Sequence, residues 1–339
     1  MSKKHSNISV FVPHVGCPNQ CSFCNQFSIT SCHTAPNEGD IEKAVSVAKS
    51  SKNYDPKTTE LAFFGGSFTA IDREYMLRLL KAAHTFVQNG DISGIRVSTR
   101  PDAVDSEIIK ILKSFGVTAV ELGAQSMCDE VLKANRRGHT VRDIENAARL
   151  IKEAGFSLGL QMMTGLYKSS SHTDISAAEK IIALNPDTVR IYPTITLKGT
   201  HLETLFKSGE YCPPTLDDTV DLVAKLLLMF KKENINVIRT GLHSIEENAY
   251  VAGPWHPAFK ELCDSAIYKW EILKHPKGSY TCFVPRGEIS KAVGQGKQNI
   301  NELKKHGYSL TFKECDDLSV YEIRMCKESA VKFNSDTRL

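Results

Sequence analysis

No stretch of about 18 apolar residues occurs in the 339-residue chain, so no membrane-spanning helix is expected. The first ten residues, MSKKHSNISV, bring two lysines but no apolar leader core, and no secretory signal is expected. Ten cysteines in a chain of this length are too sparse for a disulfide scaffold. Charge of one sign is scarce too. The net charge is +3, and residues 256–339 carry all of it, with 14 Lys/Arg against 11 Asp/Glu. So small an excess permits a polyanionic partner without requiring one. What remains is ordinary: 41% hydrophobic residues, enough for a large core, and a length that suits two domains of about 150 residues each.

From residue 8 to about 245 the pattern alternates strand and helix. Strands are expected at ISVFVP, LAFFGG, GIRVST, AVELGA, SLGLQMM, TVRIYP and NVIRTG. Between them lie amphipathic stretches such as REYMLRLLKAAHTFV and TVRDIENAARLIKEAG. In the second, Ile144, Ala147, Ala148 and Ile151 fall at helical spacing, and Gly155 is placed to end the helix. Repeated βα units predict an α/β fold, a parallel sheet closed partly or fully into a (β/α) barrel. Chemistry in such barrels gathers at the C-terminal strand ends.

The first strand leads into FVPHVGCPNQCSFCNQF. Cys17, Cys21 and Cys24 stand at a C-x3-C-x2-C spacing, too close for all to form disulfides but able to wrap one metal. Most [4Fe–4S] clusters take four cysteines, so three imply a cluster with one iron left open. Zinc is the alternative, with Cys32, His14 or His33 as fourth ligand; three unrelated core cysteines are the plainer one. The spacing, with Phe23 just before the last cysteine, resembles the radical S-adenosylmethionine (SAM) superfamily. The resemblance implies that SAM fills the open iron and is cleaved to a 5′-deoxyadenosyl radical. A cluster of this kind points to a reducing, cytoplasmic setting.

The other strand ends extend the likeness. The second carries Gly65-Gly66-Ser67-Phe68, similar to the glycine-rich turn that in the superfamily holds SAM's amino group; a plain βα turn is the bland reading. The third ends in Arg100-Pro101-Asp102, where the resemblance implies Arg100 at the cofactor, with Ser98 where the family usually has a glutamate. The fourth ends in ELGAQS, where Gln125 matches the position that contacts SAM's ribose and Glu121 is open to either side. Arg137, twelve residues on, matches an arginine near SAM's carboxylate, a group its fork suits; a solvated helix end is the alternative for Arg136 and Arg137. Gln161 on the fifth strand is at a SAM-facing position, whereas Met162 and Met163 read as core. The sixth, VRIYPTITLKGTHLETLFKSGEY, resembles the Elongator catalytic subunit, with Arg190, Tyr192, Lys198 and Gly199-Thr200 matching. Tyr192 and Lys198 are the candidates to face substrate, with a structural role equally open. His243, at the end of a further strand, reads as structural more readily than catalytic. This likeness covers residues 8–245.

AGPWHP (252–257) breaks regular structure, dividing a domain at 1–250 from a module at 251–339. In the module the order strand–helix–loop–helix–strand, around Gly294-Gln295-Gly296-Lys297, resembles the RNA-binding KH fold, with Ile289, Val293 and Ile300 as core. The resemblance implies a loop that clamps a nucleic-acid backbone. Lys297 stands where the second glycine is expected. Lys291, Lys297, Lys304 and Lys305 offer phosphate contacts; an ordinary lysine face on a small α+β domain is the alternative. Fewer than 100 residues follow the barrel and show no glycine-rich acetyl-CoA loop, so the acetyl transfer of the Elongator subunit is not carried over.

The resemblance thus implies a radical SAM enzyme acting on RNA, tRNA in particular, with an external electron donor such as flavodoxin or ferredoxin and no membrane. A radical SAM enzyme acting on a small molecule or peptide, and an RNA-binding protein with a structural metal, are the alternatives.

Overall fold

The computed structural model describes residues 5–13, 21–25, 34–242, 245 and 247–327. Cys17, Cys32, His14, His33 and His243 lie outside them. The chain divides into two compact units, one of residues 1–219 and 226–257, the other of 220–225 and 258–339.

The first unit holds a seven-stranded parallel sheet. Its strands are β1 (Ser6–Val12), β2 (Thr59–Gly65), β3 (Gly94–Thr99), β4 (Val117–Gln125), β5 (Ser157–Thr164), β6 (Thr188–Pro193) and, after a two-residue β7 (Thr196–Leu197), β8 (Asn236–Thr240). The order β1-β2-β3-β4-β5-β6-β8 follows the chain and leaves β1 and β8 as edges, so the barrel is partial, not closed. Each of the seven expected strands is present. Strands wrapped in helices read as near-continuous apolar runs, and β2 illustrates it, with Thr59 through Phe63 all buried.

The helices are α1 (Glu38–Lys49), α2 (Arg73–Gln88), α3 (Ser106–Ser114), α4 (Asp129–Ala134), α5 (Val141–Glu153), α6 (Ser171–Ala183), α7 (His201–Lys207) and α8 (Leu216–Lys232). In α5 the four residues picked out by spacing, Ile144, Ala147, Ala148 and Ile151, are all buried. Each isoleucine so buried contributes about 1.5–3 kcal/mol. A capping box between Thr140 and Asp143 starts the helix. Gly155, at φ +82°, ends it in a backbone conformation that side-chain-bearing residues rarely adopt. A separate antiparallel pair joins β7 to β9 (Tyr250–Ala252). It is too short to leave a periodic signature.

The second unit contains α9 (Phe259–Leu273), β10 (Gly278–Pro285), α10 (Ile289–Val293), α11 (Gln298–Lys305), β11 (Tyr308–Cys315) and β12 (Arg324–Lys327). The expected strand–helix–loop–helix–strand order is present as β10-α10-α11-β11. Strand β10 lies centrally, parallel to β11 and antiparallel to β12. The core is Tyr268, Ile272, Cys282, Val284, Ala292, Leu303 and Tyr308. Ile289 packs at its rim, while Val293 and Ile300 are only half-buried. Ala292, one position from Val293, and Leu303, one turn on from Ile300, do the filling.

Candidate active site

The cysteine loop emerges beyond the C-terminal end of β1, and Cys21 in it is buried. Its fixed point is Ser22, which is fully buried. The Ser22 hydroxyl donates to Asn135 Oδ1 at 2.7 Å, and its amide donates to the Asn135 carbonyl at 3.1 Å. Leu202 N–H donates back to the Ser22 carbonyl at 2.7 Å. Asn135 also donates through Nδ2 to the carbonyls of Val131 and Tyr167, at 2.8 and 2.9 Å. One buried amide therefore ties the cysteine loop to the end of α4 and to the loop after β5. Farther along, Asn25 Nδ2 donates to the Lys198 carbonyl at 3.0 Å.

Arg137, two residues beyond Asn135, joins the cysteine loop to β4. Its Nη1 donates to Cys21 Sγ at 3.0 Å and its Nη2 to the Gly123 carbonyl at 2.7 Å. Its guanidinium carbon lies 6.0 Å from the centroid of the Phe23 ring. Its Nε is buried with no partner among the described residues. Phe23 packs with Cys128 and Tyr192 on Val131, Met163 and Leu166. His139 approaches the Ala124 carbonyl through Nε2 at 3.4 Å. Burial first, then Arg137, lowers the imidazole to about 4, so it is neutral around pH 7. The loop 135–139 thus grips both Cys21-Ser22 and the end of β4.

That end is irregular. The register with β5 shifts between Gly123 and Gln125, and Gln125 sits at φ +67°, a region L-residues avoid at a cost of about 1–2 kcal/mol. A Cβ on Gly123 would stand 3.0 Å from Gln125 Nε2 and 3.3 Å from Arg137 Nη2. Gln161 Nε2 donates to Gln125 Oε1 at 3.2 Å. Cys21, Phe23, Gly123, Gln125, Arg137 and Gln161 therefore form one contiguous group at the strand ends. The family resemblance singled out all of these but Gly123. It gave no sign of Ser22, Asn135 or His139, because a buried serine, asparagine or histidine carries no periodicity of its own.

The glycine turn serves close packing of the backbone. Gly65 is at φ +109°, and a Cβ there would fall 2.6 Å from the Phe11 ring and from the Val12 carbonyl. Gly66 N–H donates to that same carbonyl at 2.7 Å. The Ser67 hydroxyl is already occupied, by Thr99 Oγ1 at 2.9 Å and by the Arg100 amide at 3.0 Å. Arg100 is a brace: its Nε and Nη2 take both oxygens of Asp102 at 2.6 and 2.7 Å, and Nη2 also donates to the Arg137 carbonyl at 3.0 Å. Ser67 and Arg100, expected at the cofactor, thus bond to one another, and Arg100 supports Arg137 from behind.

The concave face of the sheet carries a buried charge network. Arg96 pairs with Glu60 at 2.8 Å and Glu121 at 3.2 Å. Glu121 also takes Arg190 at 2.8 Å, and Arg190 stacks over Phe64 at 5.2 Å. Glu121, open to either side from sequence, is thereby an internal counter-ion. Tyr192 is half-buried beside this network, while Lys198 is exposed with its backbone taken up by Asn25 and Ala249. Arg136 turns outward to His201 at 2.9 Å.

In the second unit Gln295, Gly296, Lys297, Lys304 and Lys305 are exposed and Gly294 is buried. Gly296 and Lys297 are both left-handed, at φ +59° and +64°. Lys291 is not free for a phosphate: its ammonium lies 2.6 Å from Glu288 and 3.7 Å from the buried Asp264. Burial pushes the Cys282 thiol up to about 12, and the Cys263 thiol also upward, and both side chains are fully buried. Among the described residues, no group of three or more His, Cys, Asp or Glu side chains is placed to hold a metal ion.

The strand-end constellation and the three-cysteine spacing find their match in a family. The chain belongs to the radical SAM superfamily, whose sequence profile fits residues 11–180, followed by the radical SAM C-terminal domain at 186–269. Among curated proteins it is 26% identical over 253 residues to the tRNA uridine(34) acetyltransferase of Dehalococcoides mccartyi, covering 65% of this chain and 55% of that one. It is 30% identical over 185 residues to the enzyme of the same name from Methanocaldococcus jannaschii, covering 49% and 34%. It is 29% identical over 190 residues to human Elongator complex protein 3, covering 50% and 35%. The chain thus spans between a third and just over half of these relatives. Among solved structures, the archaeal Elp3 of Methanocaldococcus infernus superposes with a TM-score of 0.60 at 24% identity, over 80% of this chain and 64% of that one, and shows the same fold. No helix among the described residues is long and apolar enough to cross a membrane.

Proposed function

We propose that this chain is a radical SAM enzyme that modifies RNA, tRNA in particular. The observation that carries the reading is the Arg137 fork, which joins the Cys21 thiol to the Gly123 carbonyl beside Gln125. A cysteine-ligated cluster with an open coordination site belongs next to such a group. The residues present fit it. Cys21 presents its sulfur to a cationic donor, Arg137 keeps a buried Nε in reserve, and Gly123 leaves room that a methyl group would fill. When bound, a reduced [4Fe–4S] cluster with SAM supplies a 5′-deoxyadenosyl radical that abstracts hydrogen.

The protein's own part is positioning. Cys17, Cys21 and Cys24 would hold the cluster. Phe23, Gly65, Gly66, Ser67, Arg100, Gln125, Arg137 and Gln161 would line the SAM site, with Arg137 offering the carboxylate its Nε–H, free among the described residues, and Gln125 contacting the ribose. The Ser22–Asn135 pair keeps the cysteine loop seated, and Phe23 and Tyr192 exclude water from its flank. Tyr192 and Lys198 are the side chains proposed to meet substrate. An external flavodoxin or ferredoxin would deliver the electron, in a reducing cytoplasm.

The tRNA half rests on the names of the relatives and on the second module. We propose residues 1–250 as the catalytic domain and 251–339 as a KH-like RNA-binding module, in which Gly294, Gln295, Gly296 and Lys297 approach the backbone and Lys304 and Lys305 add phosphate contacts. Lys291 drops out of that set because Glu288 and Asp264 hold it.

Anaerobic reconstitution with iron and sulfide, followed by a mobility shift with tRNA, tests the reading. A brown protein that forms 5′-deoxyadenosine and retains tRNA is expected. A colourless protein holding one zinc would favour a structural metal. An active enzyme indifferent to tRNA would point to a small molecule or peptide.

A further inference from the structure

Register carries one row of side chains across the concave face. Gly123 on β4 pairs with Gln161 on β5, Gln161 with Arg190 on β6, and Arg190 with Arg239 on β8. Register partners in a parallel sheet project to one side. The β6–β8 ladder shifts register between Val189 and Arg190, and beyond that shift Arg239 pairs with Arg190 and shares its side, which the contacts of Arg190 with Glu121 and Phe64 fix as the concave one. The flanking pair, Ile191 and Thr240, points the other way and is buried, as alternation requires.

Three arginines occupy this face, and two are neutralised. Arg96 and Arg190 share Glu60 and Glu121 at 2.8–3.2 Å. Among the described residues Arg239 has no such partner. Its Nε donates to the Gly241 carbonyl at 3.2 Å, and among the described residues no carboxylate pairs with it. It is half-buried on the edge strand β8. A cation held part-way out of water without a counter-ion is unfavourable unless an anion completes it. The fork geometry of a guanidinium suits a pair of phosphate or carboxylate oxygens.

We propose that Arg239 anchors an anionic group of the substrate, a phosphodiester of the RNA, at the end of the row opposite Gly123. This rests on the RNA reading above. Three strand spacings separate Arg239 from Gly123, roughly 14 Å. The SAM-binding groups at Gln125 and Arg137 and the substrate anchor are thus at opposite ends of one face, with Arg190 and Tyr192 between them.

The test compares Arg239→Gln and Arg239→Lys with the wild-type reconstituted holoenzyme. The probe is bulk unmodified tRNA, titrated over a range of salt concentrations, with SAM affinity measured in parallel. Loss of one phosphate contact should lower the slope of log affinity against log salt by about one in Arg239→Gln. SAM affinity should be unchanged. Arg239→Lys should keep the slope and lose several-fold in affinity, because it keeps the charge but not the fork. Should Arg239→Gln not fold, Arg239→Lys alone decides, and wild-type affinity in it overturns the proposal. A wild-type slope in Arg239→Gln, or SAM binding weakened as much as tRNA binding, also overturns it. A wild-type enzyme that retains no tRNA refutes instead the RNA reading on which the anchor depends.

Discussion

Asn135 holds more of the site together than any residue that motif reasoning picks out. It is fully buried, and it satisfies Ser22, Val131 and Tyr167 at once. Truncation strands those partners inside the protein, at about 1–3 kcal/mol for each left unmet. Asn135→Ala should therefore lower unfolding stability by roughly 2–4 kcal/mol. It should also cut the iron retained after reconstitution, read by metal analysis beside a thermal melt. Arg137 makes a different prediction. Donors to cluster sulfurs stabilise the more negative, reduced state and raise its potential. Arg137→Gln should shift the cluster midpoint to more negative values in redox titration while the iron content holds. These two residues show what the sequence could convey. Arg137 was legible because its distance from Gln125 matches a family pattern. Asn135 was not, since its meaning lies in a 113-residue separation from Ser22 that only the fold closes.

Elements were the most legible scale. The seven barrel strands follow from apolar runs bounded by turns, and helix α5 from one stripe and one glycine. The antiparallel β7–β9 pair and the terminal β12 were missed, because two to four residues are too few to show a period. Polar groups inside elements stayed hidden as well. Asp174 lies in the first turn of α6, buried, accepting the Gly165 amide at 2.9 Å. Burial raises its carboxyl to about 7. The folded value is above the unfolded one, so its contribution is complete in acid and is lost as pH rises through about 7. Asp174→Asn keeps an acceptor for Gly165 and removes the charge. It should melt higher than wild type at pH 8, with the difference shrinking toward pH 5, in thermal scans across that range.

At the scale of the whole molecule, two compact units meet two demands: a half-open sheet whose strand ends gather the cysteine loop, and a small α+β module with an exposed, left-handed Gly296-Lys297 turn. The strand–helix–loop–helix–strand order of the second unit was legible from its apolar pattern and turns. Which lysines are free was not, because Lys291 is claimed by Glu288 and by Asp264 from another helix. Lys297→Glu with Lys304→Glu should weaken tRNA retention at low salt by tenfold or more and flatten its salt dependence by roughly two, leaving the 5′-deoxyadenosine formed without RNA unchanged. The central claim is the radical chemistry itself, and it is tested most directly by 5′-deoxyadenosine release from the anaerobically reconstituted, chemically reduced chain given SAM. The account predicts product from the wild type and none from Cys21→Ala. No product from a wild-type protein carrying a full cluster, or equal product from the variant, would contradict it.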